Sequence, residues 1–284
     1  MLRFALLYLD SPLMALLIWL LSPAERGGAW QLPVFGFAVS TLLIGVGMAV
    51  AKLMGLKRAE QGAFICGSAM SNIGFSYGGL LCLVILGMDG LTLSQVYTMY
   101  LTPFTFLIMF QVAAWYASDE TAPTLRSMFF QFLRHPARWL PILAMGIGVG
   151  LNLLAPRPPE WLKPVAAVWV FCATGLYSLA IGISIRLGKV REHVAPCLAL
   201  GAVKFVVTPL LALALTALFD LTPLQRQVVF VESAMPMAIY AVVLAGLTGL
   251  ARDMANSCWL FTTLAALPLV APIYLIVTRL PAAR

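Results

Sequence analysis

Gly67-Ser68-Ala69-Met70-Ser71-Asn72-Ile73-Gly74 and Glu232-Ser233-Ala234-Met235-Pro236-Met237-Ala238 each stand in the middle of an apolar stretch long enough to cross a bilayer. Glycine, proline and short polar side chains break a helix at these points, and the break frees backbone N–H and C=O groups. Such groups are tolerated at membrane depth only where they are buried in protein or line a wet cavity. Two breaks in one chain therefore imply a cavity near the bilayer midplane, and hence a solute.

The composition places the chain in lipid. Of 284 residues, 62% are apolar and 10% charged, with a mean hydropathy of +0.95, whereas soluble domains carry about 25% charged residues. The net charge of +7 does not signal nucleic acid, because the basic residues fall between apolar runs, as membrane topology requires. Cys66, Cys82, Cys172, Cys197 and Cys258 lie in or at the ends of apolar segments and read as small core residues. His135 and His193 fall in loops. No metal site, catalytic constellation or phosphate loop is visible, so neither an enzyme nor a cofactor is expected.

Runs able to span ~30 Å of hydrocarbon occur at 2 to 22, 31 to 54, 60 to 87, 94 to 117, 138 to 156, 162 to 187, 194 to 219, 223 to 250 and 255 to 280. The expectation is an all-α polytopic protein of nine helices. Alternating the loops between two sides gives eleven basic residues on one side, from Arg3 to Arg252, and six on the other, from Arg26 to Arg284. The positive-inside rule then puts the N-terminus in the cytoplasm and the C-terminus outside. Asp10 and Pro12 argue against reading the first run as a signal peptide. Leu125, Met128, Phe129, Phe132 and Leu133 form the stripe of an interfacial helix within a linker at 118–137.

Both breaks carry Ser-Ala-Met, and the charge count runs them in opposite directions. Opposed direction with shared sequence indicates an inverted repeat, with halves at 1–117 and 138–284. Three helices precede the second break and only two precede the first. The first half thus reads as incomplete, with four helices against five.

These residues resemble the auxin efflux carrier family, of the bile acid, arsenite and auxin carrier superfamily, whose bacterial members are inner-membrane organic-anion permeases. Glu232-Ser233-Ala234-Met235-Pro236-Met237 looks like the family's Met-Pro crossover in its penultimate helix. Lys204 through Thr208-Pro209 looks like its basic residue ahead of a proline, and Ser71-Asn72-Ile73-Gly74-Phe75 is similar to its first-half crossover. His135-Pro136 stands where an Asn-Pro commonly opens the second half. Arg3 through Pro12-Leu13 looks like its second helix, so the first is missing from this pattern, and Asp10 departs from the apolar residues usual there. The resemblance implies a dimer and a moving core of crossed helices against a scaffold, an elevator.

At 1.5 Å per residue, Lys204 and Glu232 lie ~15 and ~14 Å along their helices, and Asn72 lies ~18 Å along its own. All three fall near the midplane. Two ions left in lipid there would cost ~5 to 7 kcal/mol, so both should face the interior, as a pair or through water. Glu232 is the candidate coupling carboxylate and Lys204 its counter-charge. Ser71, Asn72, Gly74, Ser233, Met235 and Pro236 are the candidate substrate-binding residues, whose half-helix N–H groups would face a carboxylate. Asp10 is a candidate proton site or a snorkelling carboxylate, and Gln111 and Asn152 read as interhelical amides. The expectation is a secondary carrier of small mono- or dicarboxylates or auxin-like acids, coupled to protons. The alternatives are a sodium-coupled carrier of bile-acid-symporter type and a membrane sensor that does not transport.

Overall fold

The computed structural model describes residues 9–75, 77–117, 136–184 and 191–279, and among these the regular structure is helical apart from one isolated backbone bridge. The stripe at 125–133 lies outside the described residues. The protein is an all-α membrane protein, as its composition requires.

The helices begin where the sequence supplies starts. Ser11–Trp19 (α1) and Pro23–Ala29 (α2) each have proline in the first turn, where its missing N–H costs nothing. Gln31–Leu53 (α3) runs unbroken for 23 residues. In Arg58–Ala69 (α4) the Glu60 carboxylate accepts the Lys57 N–H at 2.9 Å and so closes the helix start. Gly78–Tyr97 (α5) follows after the first break.

Gly87 inside α5 has φ 74° and ψ −162°, a left-handed conformation open to glycine. A Cβ on Gly90 would meet the Cys82 carbonyl oxygen at 3.1 Å, and one on Gly79 would meet Gln95 Nε2 at 2.9 Å. Residues eight and sixteen apart would stand ~12 and ~24 Å apart on a straight helix. The chain therefore folds back at Gly87, where the expected third span ends.

The next span continues through Leu101–Phe104 (α6), a π-turn at Thr105–Met109 and Phe110–Tyr116 (α7). The second half comprises Pro136–Leu154 (α8), Leu162–Ser184 (α9), Val194–Ala202 (α10), Thr208–Leu215 (α11), Pro223–Ser233 (α12), Ile239–Leu247 (α13) and Arg252–Arg279 (α14). Thr222 and Gln225 form a reciprocal cap on α12, with Gln225 N–H to Thr222 Oγ1 at 3.3 Å and Thr222 N–H to Gln225 Oε1 at 3.1 Å. Val203–Val207 is a second π-turn, placed just before Pro209. Proline cannot donate to the preceding turn, so the ladder widens there. Thr208 Oγ1 donates to the Val203 carbonyl at 2.7 Å.

Each of the nine runs holds helix among its described residues, but the count differs from nine because these residues hold more helical segments. Breaks divide two spans, bulges divide two more, and α2 was not expected. Among the described residues, four stretches are long and apolar enough to cross a membrane: Gln31–Leu53, Gly78–Tyr116, Arg191–Leu218 and Arg252–Arg279. The second of these is the folded-back pair.

The packing sets up a cross. α4 lies against α13, and α5 lies against α12. Each half of one broken helix thus runs beside the opposite half of the other, which opposes their directions. α1 packs along α8 through Gly148, where a Cβ would meet the Ala15 carbonyl oxygen at 2.8 Å. Large apolar side chains such as Leu42, Ile147, Leu153, Val168 and Leu275 are exposed on the outer faces, which is the surface a lipid solvent stabilises.

Candidate functional site at the crossing of the broken helices

The two breaks meet. Ser71 and Met237 form an antiparallel bridge, with Asn72 N–H donating to the Pro236 carbonyl at 2.8 Å and Ala238 N–H donating to the Met70 carbonyl at 3.0 Å. Each unwound segment supplies the other with the partners its own helix lost, which is how irregular backbone survives at this depth. The Met237 N–H goes to Thr262 Oγ1 of α14 at 3.3 Å.

This pairing corrects one expectation. The amides at the half-helix starts do not stand open. Gly78 N–H donates to the Asn72 carbonyl at 3.2 Å and Gly79 N–H to the Gly74 carbonyl at 2.7 Å. The loop folds back on its own helix start because Gly74 adopts φ 89°, a turn that side-chain-bearing residues rarely make.

Lys204 and Glu232 are the only buried charged residues among those described, at 0% and 1% exposure. They do not form an ion pair, because the single salt bridge among the described residues is Lys163–Glu160. Each meets a different end of the first broken helix. Lys204 Nζ donates to the Ser68 carbonyl at 2.6 Å, at the C-terminal end of α4, and to Ser71 Oγ at 3.0 Å. Glu232 Oε1 accepts from Ser94 Oγ at 2.5 Å and faces Cys82 Sγ at 3.8 Å. Its carboxylate lies against Gly78, the first residue of α5, so closely that a Cβ there would overlap it. A cation at a helix C-terminus and an anion at an N-terminus are the arrangement the helix dipole favours. The charges thus complement the dipole ends left by the break and not each other.

The other expected residues divide. Ser71 and Asn72 are buried in the bridge, the Pro236 carbonyl accepts from Asn72, and Met235 is buried one residue ahead of it. Ser233 is buried but donates to the Phe230 carbonyl at 2.8 Å, within its own helix. Asp10 heads α1, half-buried, on an element that flanks the crossing and does not form it. Gln111 bonds to the Leu107 carbonyl on its own helix, whereas Asn152 does bridge helices, to the Trp19 and Leu21 carbonyls at 3.0 and 2.9 Å.

Three site residues escaped the sequence reading: Ser94, Gln95 and Thr262, each 0% exposed. Gln95 Oε1 and Nε2 and Glu232 Oε2 are buried without a hydrogen-bond partner. The signal for Ser94-Gln95 was a polar pair inside an apolar span, which is costly unless it faces the interior.

A family model described as membrane transport protein matches residues 28–275. An uncharacterized transporter of Methanothermobacter thermautotrophicus is 24% identical over 237 residues, covering 83% of this chain and 74% of its own length.

Proposed function

This chain belongs to the membrane transport protein family, which the auxin-carrier resemblance had indicated, and from that premise we propose that it is a secondary carrier of small organic anions coupled to protons. The observation that carries the reading is Lys204: a buried cation at a helix break, with no carboxylate within ion-pair distance among the described residues. An ammonium has three donors, and Ser68 and Ser71 take two. The third serves a substrate carboxylate. The crossing as it stands is occluded, so substrate reaches Lys204 when the bridge parts on one side of the membrane and then on the other.

Glu232 supplies the coupling. A buried carboxylate with one oxygen unpartnered is most cheaply neutralised by a proton. Protonation removes the anion at the start of α5, so proton occupancy and crossing geometry are linked. The charge count supports a cytoplasmic N-terminus and an outward C-terminus, and the family resemblance supports placement in a bacterial inner membrane. Family resemblance supports a homodimer with an elevator-like moving core and an inverted repeat dividing at 118–137.

The test is flux of radiolabelled dicarboxylates and indole acids into proteoliposomes, with and without a pH gradient. The expected result is gradient-driven uptake whose pH dependence flattens in Glu232→Gln. Binding without flux under every gradient would favour the non-transporting sensor. One observation favours sodium as the coupling ion: Gln95 Oε1 and Glu232 Oε2 are two buried oxygens without partners. Uptake that needs sodium and ignores the pH gradient would establish that reading.

A further inference from the structure

We propose that a second site, separate from the crossing, holds the oxyanion head of an amphiphile at Arg26. A cavity of about 330 Å³ opens between α1, α2, α3 and α8, walled by Ile18, Leu21, Trp30, Met99 and Leu153, with Arg26 and Asn152 as its polar groups. The volume lies within the ~300–1,000 Å³ of small-molecule sites. The helix from Leu91 onward separates it from the crossing. Met99 faces this cavity, while Gln95 and Thr98 face Gly79 and Gly74.

Arg26 has the chemistry of a receptor. Its Nη2 donates to the Asn152 carbonyl at 2.6 Å, which fixes the guanidinium at the cavity, and its Nε is buried without a partner. No carboxylate among the described residues forms an ion pair with it. The adjacent Glu25 is turned away, accepting from Thr222 Oγ1 at 2.8 Å. The Asn152 amide is spent on the Trp19 and Leu21 carbonyls, so it braces the wall and does not compete for ligand. A planar guanidinium with its Nε–H unpartnered matches a carboxylate or phosphate, and the apolar walls match a hydrocarbon body. A free organic acid and an anionic phospholipid share this chemistry.

The site is tested by the emission of Trp30, which lines the cavity and is 67% exposed. Its signal is the difference between the parent protein and Trp30→Phe, each in phosphatidylcholine nanodiscs. One arm titrates a brominated fatty acid and the other incorporates brominated phosphatidylglycerol. The expected result is saturable quenching in one arm, weakened at least tenfold in Arg26→Gln and only partly regained in Arg26→Lys, which keeps the charge without the planar fork. Quenching by the fatty acid alone identifies a free acid, and quenching by the phospholipid alone identifies a lipid. Quenching that is absent from both arms, or equal in parent and Arg26→Gln, overturns the proposal. The readout is binding and not flux, so it stands or falls separately from the carrier reading.

Discussion

Gly78 is the residue on which the buried carboxylate rests, because Glu232 occupies the space its side chain would fill. Gly78→Ala is expected to destabilise the protein by about 1–3 kcal/mol through overpacking, read as a lowered Tm. Gly45→Ala, inside α3 with open space around it, is expected to hold or raise Tm, and equal Tm values for both variants would contradict the contact. Lys204→Met removes the donor to the Ser68 carbonyl. Leaving that buried acceptor unsatisfied costs about 1–3 kcal/mol, and anion uptake is expected to fall to the level of empty proteoliposomes. If uptake survives in Lys204→Met, the lysine serves α4 and not the substrate. At this scale the sequence was partly legible. The cost of burying ions identified Lys204 and Glu232, but it could not say that each would find a helix end before it found the other.

The broken helices are legible in the sequence because glycine, serine and proline cluster where apolar helix should continue. Their meeting is not. The Asn72 N–H to Pro236 carbonyl bond joins residues 164 positions apart, and no local pattern encodes a contact at that separation. The bridge makes a sharp prediction. The flanking hydrogen bonds put Ser71 opposite Met237 as a non-hydrogen-bonded pair, where Cα atoms lie ~4.5 Å apart and so within disulfide range. In a background without native cysteines, Ser71→Cys with Met237→Cys is expected to cross-link under mild oxidation and to arrest flux until reduced, measured by gel shift and uptake together. A pair of cysteines that stays reduced would deny the bridge. The fold-back at Gly87 was read correctly as a span end. The two π-turns were not read, although Pro209 signals the one that carries Lys204.

Across the whole molecule, the charge count predicts which side of the membrane each loop faces. In the same cysteine-free background, Gly55→Cys is expected to react with a membrane-impermeant maleimide only from the cytoplasmic side, and Asp89→Cys only from outside. The reverse labelling would invert the topology without disturbing the fold. The sequence by itself determined that the chain lives in lipid, where its spans lie, and where two helices break. These follow from composition and from the backbone's need for hydrogen-bond partners, and both act locally along the chain. Only the tertiary structure decided what satisfies each break and which charge serves which helix end. It also decided that Ser94, Gln95 and Thr262 join the site and that Arg26 faces a cavity. Those outcomes depend on which distant groups packing brings within hydrogen-bond reach, and a buried polar group takes whichever partner the packing offers it.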